Sequence, residues 1–219
     1  MERNEIDSTF ELLEKEFVGL KLPREIFIDN IAVPFSDRTI CSLIETMVTT
    51  CLRRHNLESN WLEIKSFTGS PNFDIAAFRS FINLVIQKPW KLHSKHLLIK
   101  YKMENGMVEI ERIWLKNLWE ICSTSSKWPV KVQYKNEVIV NIRPATWYSE
   151  RTGFKPFESL EDFLAAMEET IYQYPDTRVT IALHWKEKLI ESYERHYGIR
   201  LNIPRWNDIA EKYSNNSDE

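Results

Sequence analysis

The sequence predicts an α+β fold: a central antiparallel sheet of about four to five strands, made of two hairpins, flanked by N-terminal and C-terminal helices. Three observations lead there. Apolar residues recur at helical spacing before residue 90 and again after residue 159, and between these stretches the period falls to two. Strands and helices also come in blocks rather than in βαβ alternation. With 219 residues, 43% hydrophobic and 28% charged, the chain can bury a core. No segment reads as a linker, so a single globular domain is expected over residues 1–213, with a disordered tail over 214–219.

Each element has its own warrant. Phe10, Leu13, Phe17 and Leu20 place an apolar stripe on a helix over residues 7–19. Residues 21–35 carry two prolines and read as extended chain. Ser36 then caps a core helix bearing Ile40, Leu43, Ile44, Met47, Val48, Cys51 and Leu52, with Arg53, Arg54 and His55 in its last turn. Alternation over residues 61–67 predicts a short strand. Asn72 is placed as the cap of a third helix, with Phe78 and Ile82 on its buried face and Pro89 at its end.

Two strands, 96–103 and 107–114, flank Asn105-Gly106, a dipeptide suited to the positive φ angles of a tight hairpin turn. The β-branched runs 130–134 and 138–142 predict a second hairpin. Ser159, followed three positions later by Asp162, opens a helix with Phe163 and Met167 inward. Residues 179–182 are a candidate fifth strand, a helix from about His184 stops at Gly198, and Pro204 opens a short last helix carrying Trp206.

Composition removes several function classes. The five glycines are widely spaced, which excludes GxGxxG and P-loop nucleotide sites. The first twenty residues mix acids and bases, and no apolar run approaches the ~18–20 residues needed to span a bilayer. No membrane partner is expected, and the location reads as cytoplasmic or nuclear. Cys41, Cys51 and Cys122 match no zinc spacing and are expected to be reduced, inert thiols. His184, Glu187 and Glu191 share a helix face, but a bundle metal site needs facing helices as well. No metal, no cofactor and no catalytic residue is assigned.

One charge feature stands out. Between Asp74 and Glu104 there is no acid, while Arg79, Lys88, Lys91, Lys95, Lys100 and Lys102 supply six cations. Within it, Lys88, Trp90, Lys91, His93, Lys95 and His96 interleave cations with aromatic rings, as phosphate contact plus base stacking requires. The plainer reading is a set of lysines that shield a strand edge. A net charge of −3 weighs against nonspecific duplex binding. Eight tryptophans are more than a core of this size needs, and Trp128 and Trp206 join the six residues above as candidate binding positions. The leading reading is a noncatalytic interaction module, an accessory, adaptor or inhibitor subunit with a protein partner. A nucleic acid or phosphate ligand on residues 75–103 is the alternative. An enzyme without a recognisable motif is third, and the oligomeric state is open.

Overall fold

The computed structural model describes residues 3–23, 37–57, 61–148, 154–174 and 184–214. In chain order the elements are α1 (Arg3–Phe17), β1 (Lys21–Pro23), α2 (Asp37–Arg54), β2 (Leu62–Phe67), β3 (Ala76–Ala77), α3 (Phe78–Gln87), β4 (Lys95–Glu104), β5 (Met107–Asn117), β6 (Val132–Lys135), β7 (Val138–Ile142), α4 (Leu160–Gln173), α5 (Trp185–Tyr197) and α6 (Trp206–Ile209). The α+β class follows as expected. The chain divides into two compact units, Met1–Pro71 with Lys95–Lys116, and Asn72–Ser94 with Asn117–Glu219.

In the first unit the sheet order is β1-β5-β4-β2. The hairpin of β4 and β5 turns at Asn105 (φ 51) and Gly106 (φ 75), as the Asn-Gly pair predicts. β1 lies antiparallel on β5, and β2 lies parallel to β4, with Glu63 opposite His96 and Lys65 opposite Leu98. The core joins Leu13 and Phe17 of α1 and Ile40, Ile44, Val48 and Leu52 of α2 to the sheet residues Leu97, Ile99, Tyr101 and Ile110. The buried stripe of α2 thus steps by four, leaving Leu43 and Met47 only partly covered.

The second unit has a smaller sheet, β3-β7-β6. Both expected hairpins exist, but they lie in different sheets, because each pairs with a strand from earlier in the chain: β2 with β4 and β3 with β7. Periodicity reveals strands and says little about such long-range partners. Its core centres on Phe78, Phe81, Ile82, Phe163 and Met167, all buried. The Trp185 indole N–H donates to the Ile82 carbonyl at 3.1 Å and so fastens α5 to α3. Ser159 caps α4 by accepting from the Asp162 N–H at 3.1 Å, and Gly198 ends α5 in the left-handed conformation.

Asn72 is not a helix cap. The cap position of α3 is Ala77, and the Asn72 side chain instead accepts from Arg143 at 2.5 Å. The expected Ser36 cap and the fifth strand over 179–182 lie outside the described residues. Among the described residues no helix is long and apolar enough to cross a membrane.

Candidate active site and nucleic-acid surface

β2 is one of the two edge strands of the larger sheet. Side chains alternate across a strand, and Leu62 faces the core with Leu97 and Ile99, so Glu63 and Lys65 share the opposite face. His96, paired with Glu63, belongs to that face and is 4% exposed. On that face Glu63 stands opposite His96 and Lys65 opposite the buried Leu98, with the buried Phe67 next along the strand.

The outer rim of β2 meets α2. Ser66 and Cys41 bridge the two elements: the Ser66 hydroxyl donates to the Cys41 carbonyl and the Cys41 thiol to the Ser66 carbonyl, each at 3.3 Å. The Cys41 sulfur also stands 3.6 Å from the Tyr101 hydroxyl. One turn further along α2, the Glu45 carboxyl lies within the influence of Ser66 and of the Lys65 ammonium. Burial raises the Glu45 carboxyl above the ordinary range, and the charge of Lys65 and the bonds from Ser66 only partly offset it. A perturbed carboxyl beside a lysine makes Glu45 a candidate site residue.

Among the described residues no three His, Cys, Asp or Glu converge as a metal cage. Carboxylates of the kind that Glu45 and Glu63 carry suit Mg²⁺, which takes one or two of them and completes its shell with water and substrate phosphate, better than they suit a structural zinc.

The candidate binding residues from the sequence fall into three places. Lys88, Trp90, Lys91 and His93 lie at the end of α3 and in the 3₁₀ turn Pro89–His93 of the second unit. Lys95 and His96 begin β4 in the first unit. Trp128 and Trp206 line one cleft of about 390 Å³ with Ser126, Lys127, Gln173 and Tyr213. Of the remaining cations in the acid-free stretch, Lys100 pairs with Glu111 at 3.0 Å and Lys102 with Glu104 and Glu109 at 3.4 Å. Lys100 and Lys102 are therefore paired with acids of their own hairpin. Glu45, Glu63 and Lys65 were not singled out in the sequence; the usable signal was a Glu-x-Lys on a short strand, which alternation puts on one face.

The sequence of residues 45–213 matches the family model described as NgoBV restriction endonuclease. The chain belongs to the NgoBV restriction endonuclease family. The match begins at Glu45 and includes Glu63 and Lys65. The Type II restriction enzyme NlaIV of Neisseria lactamica is 42% identical over 166 residues, 74% of this chain and 68% of that protein. The solved NlaIV restriction endonuclease superposes with a TM-score of 0.83 at 31% identity, covering 98% of this chain and 97% of the other. Membership of this family corrects the leading reading of the sequence: the chain is not a noncatalytic adaptor or complex subunit, and a protein partner draws no support from these relatives. The inference failed because it took missing glycine-rich and nucleophile motifs as absence of catalysis, whereas metal-assisted hydrolysis needs neither motif.

Proposed function

We propose that the chain is a Type II restriction endonuclease, acting as a homodimer that binds duplex DNA and hydrolyses one phosphodiester in each strand. Glu45, Glu63 and Lys65 at the rim of β2 carry this reading, because they lie within the family match and pair a desolvated carboxylate with a cation. A divalent cation held by Glu45 and Glu63 would neutralise the scissile phosphate and lower the pKa of the attacking water. Lys65 directs its ammonium at the phosphoryl oxygens as charge develops on them. Ser66, beside it, partly offsets the cost of burying the Glu45 carboxylate. In the reaction a water oxygen bonds to phosphorus, one P–O ester bond breaks, and the departing oxygen takes a proton.

The nuclear alternative falls away, since the curated relative comes from Neisseria lactamica, a bacterium; we place the enzyme in the cytoplasm with the DNA. Incubation of the purified protein with unmodified phage or plasmid DNA and Mg²⁺ tests the proposal. Discrete fragments that vanish in the Glu63→Gln variant are expected. Intact DNA across several substrates overturns it.

A further inference from the structure

Trp90 stands out in the second unit as a large aromatic side chain left 43% exposed. Its ring lies 5.3 Å from the imidazole of His196 in the last turn of α5. His196 meets Tyr197 edge-on at 4.5 Å, Tyr197 lies 4.6 Å from Tyr193, and the Tyr193 hydroxyl shares a 2.7 Å hydrogen bond with His93 Nε2. A chain of ring contacts thus holds the protruding indole in place. Lys88 and Lys91 flank it in sequence, and α5 ends in Arg195 and His196. Of the nearby acids, Glu194 is paired with Arg200 at 2.9 Å, and Glu161 lies on the Tyr193 side of the ring cluster.

We propose that Trp90, with Lys88, Lys91 and His196, is a DNA-backbone contact surface of the enzyme. The inference rests on the endonuclease reading above and adds where the duplex is gripped. The lysines sit on phosphates, while the fixed indole packs against sugar or wedges at a base step. The charge selects the occupant: a second copy docked on the same surface would set like charges against each other, whereas the polyanionic backbone matches them.

Fluorescence anisotropy with a labelled 30-bp duplex in EDTA, where cleavage is blocked, reads the contact directly. At roughly 100 mM salt, Lys88→Gln should weaken binding and flatten the slope of log affinity against log salt by about 0.9. Trp90→Ala should weaken binding at least about fivefold, and Trp90→Phe should restore most of it. A Lys88→Gln/Trp90→Ala protein that binds with unchanged affinity and slope overturns the surface while leaving the endonuclease reading intact. So does a Trp90→Ala effect confined to self-association in sedimentation. If Trp90→Ala fails to fold, an unchanged salt slope in Lys88→Gln alone overturns the proposal. An unmodified protein that neither binds nor cuts duplex DNA overturns both readings together.

Discussion

Glu45 and Asp162 are acids held on helices in the two units, and their surroundings push them in opposite directions. At Glu45, burial outweighs the help from Lys65 and Ser66, and the carboxyl is raised. At Asp162, burial is outweighed: bonds from Lys212, Tyr213 and Ser159, with the charge of Lys212, hold the carboxyl below its usual range. The Tyr213 hydroxyl donates to Asp162, and the Lys212 ammonium reaches Asp162 at 2.8 Å and Glu158 at 2.7 Å. The same network raises the Tyr213 hydroxyl to about 12, with burial as the largest cause. One acid is satisfied and fastens the C-terminal segment to α4. The other carries a net burial cost, which suits the metal-holding role proposed for it.

The largest effect should come from the site that bears this cost. Lys65→Met removes the ammonium and keeps the stem, so DNA cleavage should fall about 10²–10³-fold while duplex binding in EDTA persists. Cleavage within about threefold of the parent would remove Lys65 from the chemistry.

Glu45→Gln sharpens the contrast, because an amide oxygen can still accept from the Ser66 N–H while the desolvated charge disappears. Cleavage should drop by about 10²-fold, yet Tm in EDTA should rise by about 2 °C. A lower Tm would mean that Glu45 is a structural acid like Asp162.

Asp162→Asn should do the reverse, costing about 2 kcal/mol of stability at neutral pH and leaving cleavage unaffected at a temperature where the variant is folded. The sign with pH follows from the depressed carboxyl. A group whose folded pKa lies below its unfolded value of about 3.9 contributes fully above that value and loses its contribution as pH falls through the folded pKa. Thermal melts from pH 7 to pH 3 should show the gap between parent and variant narrowing at the acid end. A gap that widens on acidification would contradict the bonding described here.

The same physical distinction explains what the sequence revealed. Helix faces and hairpin turns are local, so the stripe Ile40, Ile44, Val48, Leu52 and the turn at Asn105-Gly106 were legible from spacing alone. The parallel pairing of β2 with β4 joins segments about thirty residues apart and leaves no local trace. The proposed site depends on that pairing and on α2 docking against β2, which set Glu63 beside His96 and Lys65 near Glu45 from separate parts of the chain. Of the sequence candidates, His96 falls opposite Glu63, while Lys100 and Lys102 are consumed by cross-strand pairs. The basic stretch was visible in composition, but its division between two units was not.

The smallest effects compare the two hairpin turns. In the first unit, Asn105 and Gly106 take φ 51 and 75; in the second, Asn136 and Glu137 take φ 49 and 63. Both turns need positive φ at both central positions, and only the first has glycine at the second of them. No atom lies within 4 Å of a Cβ built on Gly106, so the cost of a side chain there is purely conformational. Gly106→Val should therefore destabilise by roughly 1 kcal/mol or more. Glu137→Gly removes a side chain from the left-handed region, but glycine also adds freedom to the unfolded chain, offsetting part of the gain. The net expectation is a stabilisation of about 0.5 kcal/mol, read as a shift in urea midpoint at unchanged slope. A loss of stability in Glu137→Gly would show that the Glu137 side chain contributes more than its backbone conformation costs, and the two turns would then differ in kind rather than in one residue.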